Sequence, residues 1–259
     1  MSVTVRSIYE FLDSIAPFAT QEDWDNSGFL VGCMDKKVEK VAVCLDVTHD
    51  TLAQAKAFGA DLLVSHHPVI FHPVKGLREH APGTESIVYE AVRDDIAILS
   101  AHTCWDLAEG GVNDVLATLC GLEDIEGILP DEQGNAMVRK GVLKAPVPAE
   151  EYADIVAETL DTVVRLSLPE KMVQTVAVCG GAGASFLPDL AREGIDAFLT
   201  GDAKHNDFLD AIDNDIALMA AGHYETETVS MPVLKELLHA EFPDLEYQYI
   251  ESSPVVYIG

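Results

Sequence analysis

Hydrophobic positions in this chain follow two rhythms. Near the start, Ile8, Phe11, Leu12 and Ile15 recur at the i, i+3, i+4, i+7 spacing of one helix face. Short unbroken apolar runs follow at 41–47, 62–65 and 96–101, with the length and continuity of strands buried on both faces. Helical stretches around 51–58, 86–93 and 112–119 separate or follow these runs. Strands alternating with helices predict βαβ units, hence an α/β fold of mostly parallel sheets flanked by helices.

The same order returns later in the chain. Val41-Ala42-Val43-Cys44 matches Val176-Ala177-Val178-Cys179, 135 residues on, and Leu52/Leu187, Gly59/Gly194 and Asp61/Asp196 keep that offset. Asp95-Ile96-Ala97 answers Asp215-Ile216-Ala217 at an offset of 120, so the first copy carries 15 extra residues. Repeats of this kind predict two βαβαβ lobes from an internal duplication, roughly 38–121 and 173–235. The expected partition is a first α/β lobe over 1–121, a connecting strand–helix–strand segment over 122–172, and a second α/β lobe over 173–259. Within the connector, the acidic stretch 123–135 with Gly127, Pro130 and Gly134 reads as a loop. A strand at 138–143, a helix opened by Pro148 and Glu150, and a strand at 163–168 follow, with no cluster of metal-binding or paired acidic groups.

Composition narrows the partners. The 259 residues include 44 acidic and 16 basic side chains, a formal charge of −28 with pI near 4.4. Nucleic acid and anionic membrane surfaces are poor partners for such a chain, because both demand basic patches. The first 16 residues lack the apolar core of a secretory signal, and apolar runs such as 216–221 fall far short of the ~20 residues that span a bilayer. Five cysteines, an odd number with no C-x-x-C pair, point to reduced thiols in a cytoplasm. Cys44 and Cys179 sit in valine-rich runs, where a thiol serves as a small core hydrophobe.

The candidate chemistry collects where strands end. In open α/β sheets ligands bind at the carboxyl ends of strands. The run 62–65 leads into His66-His67-Pro68, and 96–101 leads into His102-Thr103-Cys104-Trp105-Asp106. In the second copy the corresponding run leads into His223-Tyr224-Glu225-Thr226-Glu227. Both third strands therefore deliver an H-x-x-x-[DE] unit, which on a helical turn puts imidazole and carboxylate on one face. Nitrogen and carboxylate donors suit zinc, manganese or iron, and the lack of a thiolate set disfavours a closed structural zinc. Five ligands (His66, His67, Asp106, His223 and Glu227) are too many for one tetrahedral ion. With Asp106 or Glu227 bridging they suit two divalent ions about 3.5–4 Å apart.

Weaker signals accompany these. Trp24-Asp25-Asn26-Ser27-Gly28 is a turn cluster in which Asp25 or Asn26 could orient a ligand histidine, or form a plain Asx turn. Gly180-Gly181-Ala182-Gly183-Ala184-Ser185 reads as a tight turn, with phosphate contact the minority reading. Lys204 and His205 either contact substrate or cap a helix, and His102 is open between a general base and a partner of a ligand.

These pieces together resemble a known family, the Ngg-one-interacting factor three-like proteins, also called GTP cyclohydrolase 1 type 2 homologs. The stretches that carry the resemblance are WDNSGFLVG from Trp24, SHHPVIF from Ser65, AHTCWDLAEGGVND from Ala101, AVCGGAGAS from Ala177, TGDAKHNDFLDA from Thr200 and AGHYETE from Ala221. The resemblance implies a two-lobed α/β fold and a dinuclear metal centre held by His66, His67, Asp106, His223 and Glu227. It further implies a toroidal homohexamer. Asp202 stands where the family suggests Glu, and Asn206 where a second His is common, which touches substrate contacts and not metal binding.

The functional expectation is a metal-dependent hydrolase acting on a nucleotide or another phosphate-bearing small molecule, with no catalytic residue assigned beyond the ligands. The alternative is a non-catalytic metal-binding adaptor or metal store. The charge carries one further expectation. A formal −28 spread along the whole chain costs self-repulsion, which ions screen. Thermal unfolding followed from dilute to molar potassium chloride should move to higher temperature. An unchanged midpoint would remove the reading of this acidity as an adaptation to salt.

Overall fold

Three short strands with no polar face make the centre of the first sheet in the computed structural model, which describes residues 2–256 and 258. β2 (Lys40–Cys44), β3 (Leu62–Ser65) and β4 (Ala97–Ser100) run parallel, and β1 (Gly28–Val31) adds antiparallel to β4. On the other side β11 (Glu246–Ile250) pairs parallel with β2, giving the order β1-β4-β3-β2-β11. Successive side chains point to opposite faces. Ala42, Cys44, Leu63 and Ile98 pack with Leu52, Ala55, Ile87 and Ala91 from the helices His49–Phe58 and Thr84–Arg93. Val41, Val43, Leu62, Val64 and Leu99 are buried as well. Burial on both faces is why these strands read as continuous apolar runs.

The second sheet repeats this centre. β8 (Met172–Cys179), β9 (Ala197–Thr200) and β10 (Ala217–Ala220) are parallel. Val176, Val178, Leu199 and Met219 pack with the helices Val112–Leu119 and Ala149–Leu160, while Ala177, Phe198 and Leu218 pack with Leu187, Leu190 and Ala211 on the other face. The register carries the repeat residue by residue. Cys44 pairs Ser65, which pairs Ser100; 135, 135 and 120 residues on, Cys179 pairs Thr200, which pairs Ala220.

Polar fastenings repeat with it. Asp61 Oδ2 accepts from the backbone N–H groups of Glu39 (2.8 Å) and Lys40 (3.1 Å). Asp196 Oδ2 does the same for Gln174 (3.0 Å) and Thr175 (2.9 Å). Asp95 and Asp215, the residues before the third strands, both take left-handed backbone, φ 53° and 54°. Each is paired with a lysine, Lys36 at 3.3 Å and Lys171 at 2.8 Å.

The partition of the chain differs from the one read in the sequence. One compact unit comprises Met1–Glu109 with Met231–Ser253, the other Gly110–Ser230 with Pro254–Gly259. The segment 122–172 is no connector. β5 (Glu123–Ile128) and β6 (Val138–Pro148) extend the second sheet antiparallel beside β8, and β7 (Arg165–Leu166) closes its other side beside β10, in the order β5-β6-β8-β9-β10-β7. Parallel pairing in this sheet is thus confined to its middle strands. β5 falls where a loop was expected because it is an edge strand, mostly exposed, with Asp124 at φ 51° and an irregular register. Such a strand shows no buried alternation to read. The C-terminal stretch belongs to the first sheet instead of the second, since Ile250 enters the first core. No helix among the described residues is long and apolar enough to cross a membrane.

The two aspartate fastenings generate a test. A hydrogen bond to a charged acceptor contributes about 1.5–3 kcal/mol, less when half-exposed. Asp61→Ala and Asp196→Ala should each lower the free energy of urea unfolding by about 1–3 kcal/mol. Losses under about 0.5 kcal/mol at both positions would show that these repeated contacts are decorative.

Candidate metal centre

In the first unit, β3 ends at Ser65 and the chain must leave the sheet at Pro68, so His66 and His67 occupy the turn between. The backbone stays anchored there: the N–H groups of His66 and His67 donate to the carbonyls of Cys44 (3.3 Å) and Leu45 (3.0 Å). Ser65 Oγ, in contact with Ser100 Oγ at 2.7 Å, donates to His67 O. This departure from strand geometry brings two adjacent imidazoles together, ring centroids 4.9 Å apart and inclined by 49°.

Each ring is fastened at Nδ1. His66, fully buried, donates from Nδ1 to the carbonyl of Ala101 at 2.9 Å, and His67 donates to Asp46 Oδ1 at 2.8 Å. His102, following β4, donates to Asp25 Oδ1 at 2.7 Å. A carbonyl and a carboxylate only accept, so the proton sits on Nδ1 and the lone pair of the neutral ring is on Nε2. Asp106, on the short helix Thr103–Leu107, places Oδ1 3.6 Å from His66 Nε2. One donor atom from each of His66, His67 and His102 lies within 4.8 Å of the other two.

Asp25 is held by its surroundings as firmly as it holds His102. Its Oδ2 accepts from Thr103 Oγ1 (2.6 Å), Thr103 N (3.1 Å) and Ser27 Oγ (2.8 Å), and the backbone N–H of His102 donates to Ser27 Oγ at 3.0 Å. Burial pushes this carboxyl upward, but the hydrogen bonds from His102, Thr103 and Ser27 outweigh it and hold the group well below the usual carboxylate range. The turn cluster around Trp24 therefore orients a histidine, and Asp25, not Asn26, does so; Asn26 Nδ2 donates to the carbonyl of Ile70 at 2.6 Å. Between His102 and Asp106, burial pushes the Cys104 thiol up to about 12.

The second unit presents a carboxylate–imidazole pair at the end of β10. His223 and Glu227 lie one turn apart on the helix His223–Thr228, with Nε2 and Oε2 3.2 Å apart. Asp202 Oδ2 accepts from His223 Nδ1 at 2.8 Å, so a fourth ring is fastened like the others. Ligand atoms bonded to one ion at about 2.0–2.2 Å stand roughly 3.3 Å apart, close to the separations of both imidazole–carboxylate pairs. The one-residue shift between the copies is Gly222, whose φ of 92° turns the chain before His223. At the 135-residue offset, His66 and His67 correspond to Gly201 and Asp202. The glycine leaves room, since a Cβ at 201 would stand 2.8 Å from His223 Cα, and the aspartate becomes the fastening.

The glycine loop after β8 is structural. The N–H groups of Gly180, Gly181 and Gly183 donate to Asn113 Oδ1, Thr226 Oγ1 and Thr200 Oγ1 at 2.8–3.0 Å. With those donors engaged it is a tight turn and not a phosphate cradle. Gly181, at φ 59°, lets the backbone pass Glu227, whose carboxylate a Cβ would strike. Lys204 precedes the helix His205–Asp213, its N–H donating to Asp207 Oδ2 at 2.6 Å. A cavity of about 460 Å³ lined by Ser185, Asp202 and Lys204, among others, adjoins this turn. Asp46 and the role of Asp202 escaped sequence reading. The signal was their place just past strands whose neighbours end in histidine.

The comparisons agree with this architecture. A family profile described as Duf34/NIF3 (NGG1p interacting factor 3) matches residues 3–254. A Streptomyces coelicolor protein named GTP cyclohydrolase 1 type 2 homolog is 35% identical over 227 residues, 83% of this chain and 79% of that one. A protein of the same name from Nostoc is 35% identical over 205 residues, 78% of each. The crystal structure of a Staphylococcus aureus hypothetical protein superposes with a TM-score of 0.93 at 26% identity, covering both chains fully. A profile match over nearly the whole length, joined to the strand-end histidines and the duplicated sheet, establishes that this chain belongs to the DUF34/NIF3 family.

Proposed function

We propose that this chain is a metal-dependent hydrolase holding two divalent ions with His66, His67, Asp106, His223 and Glu227. The observation that carries the reading is the uniform fastening of the imidazoles. Nδ1 of His66, His67 and His223 each donates to an oxygen, which fixes the tautomer and aims Nε2, the arrangement that metal-ligating histidines need. The two imidazole–carboxylate pairs, His66–Asp106 and His223–Glu227, match the spacing of ligands on a common ion. Nitrogen and oxygen donors without thiolate favour zinc, manganese or iron in an open site.

Two such ions supply Lewis acidity, lowering the pKa of water and drawing charge from a carbonyl or phosphoryl oxygen. The chain's own residues would do the rest. Asp202 holds His223 in place and also lines the cavity that includes Ser185 and Lys204. Lys204 is suited to meet a phosphate there as a point charge. Relatives bear the name GTP cyclohydrolase 1 type 2 homolog. That name, taken with the lysine, supports a nucleotide or similar phosphate-bearing small molecule as substrate.

Elemental analysis of purified protein should find close to two divalent ions per chain. A nucleotide-hydrolysis screen should give turnover that chelation removes and added metal restores, and Glu227→Gln should lower it at least a hundredfold. Two ions with no turnover on any nucleotide would leave a metal-binding module and end the hydrolase reading. No bound ion would end both.

A further inference from the structure

The 15 extra residues of the first copy fall almost wholly between β3 and the helix Thr84–Arg93, where 66–83 form neither helix nor strand. An irregular loop of such length inside a compact unit is usually functional. Its composition departs from that of the chain. Residues 68–83 hold Lys75 and Arg78, two of the 16 basic side chains, with His72 and His80, against one of the 44 acids, Glu79. A cavity of about 440 Å³ opens in this loop, lined by Phe71, His72, Pro73, Lys75 and Arg78 among others. That is within the range of small-molecule sites. Phe71, 41% exposed, is flanked by His72 at a centroid distance of 4.9 Å and by Trp24 at 5.9 Å, itself 57% exposed. Large aromatic rings left half in water beside a cavity make a platform for another flat ring. Arg78 spends Nε and Nη2 on Glu85, so the acid in the cavity wall is neutralised. Lys75, exposed, has no ion-pair partner among the described residues, and its charge is available to an anion from solution.

We propose that the loop 68–83, with Trp24, is a binding site for a flat heterocycle that carries a phosphate, the chemical class of a mononucleotide. The ring stacks on the aromatic pair Phe71 and Trp24, and the phosphate meets the ammonium of Lys75 as a point charge. Stacking uses the face of a base and not its edges, so the site reads flatness and charge and tolerates different bases. The inference goes beyond the proposed function. It uses residues of the first unit alone, none of the five proposed ligands and no metal ion.

The test titrates the purified full chain with adenosine monophosphate, before and after chelation, by calorimetry and by tryptophan fluorescence. Trp105 is fully buried, so Trp24 is the exposed reporter. Binding should quench the emission in both preparations, and inorganic phosphate or adenosine alone should bind at least tenfold more weakly. Lys75→Ala, which breaks no contact within the fold, should weaken binding of the nucleotide at least fivefold, as should Phe71→Ala. Trp24→Phe should remove the quench and keep the affinity. Lys204→Ala, in the cavity of the second unit, should leave the affinity within twofold. Three results overturn the proposal: affinity that survives both Lys75→Ala and Phe71→Ala, affinity lost on Lys204→Ala, or phosphate alone binding as tightly as the nucleotide. Absence of binding to the native chain overturns it too, and a lower mass in solution for Lys75→Glu would then assign the loop to contact with a second copy. Binding by a chain found to hold no metal would keep this inference while the proposed function fell. Metal-dependent turnover without any effect of Lys75→Ala or Phe71→Ala on nucleotide affinity would do the reverse.

Discussion

Fastening one nitrogen of an imidazole decides what the other can do. A free histidine side chain rotates, exchanges tautomers and protonates near neutral pH. Donation from Nδ1 to an oxygen removes the first two freedoms at once, and the chain makes that donation four times. The acceptors come from different elements: a carbonyl after β4, a carboxylate after β2, one from the turn before β1 and one after β9. Only a sheet whose strand ends stand side by side can bring such acceptors to rings carried on neighbouring strands. The registers of β2, β3 and β4, and of β8, β9 and β10, are what the imidazole geometry rests upon.

The parts of this architecture with a hydrophobic signature were legible. β3 and the helix Val112–Leu119 fall where the apolar pattern places them, and the offsets of 135 and 120 residues reappear as paired registers. The repeat was readable because the same packing and the same aspartate fastenings are needed twice. What lacked a signature was pairing at the margins. β5 is exposed and irregular, and β11 joins a sheet built from residues some 200 positions earlier. No local pattern announces which edge a late strand will choose.

The site divides along the same line. His66, His67, Asp106, His223 and Glu227 stood out because histidine is scarce and strand ends are special. The carboxylates behind them did not, since Asp46 and Asp202 are two among 44 acidic residues. The duplicated halves have also diverged chemically at one matched position. Where the first copy has His66-His67, the second has Gly201-Asp202, so a place that offers rings in one copy offers space and an acceptor in the other.

The nesting of the units in sequence has a consequence for synthesis. The long stretch of the second unit, Gly110–Ser230, lies between the two stretches of the first, Met1–Glu109 and Met231–Ser253. A ribosome that has released the chain as far as residue 230 has delivered all six strands of the second sheet, yet the first still lacks β11. Until then the outer edge of β2, a run of Val, Ala, Val and Cys, presents unpaired backbone groups open to any extended peptide nearby. The sheet that is begun first is thus the sheet completed last, and its open edge persists longer in the nascent chain.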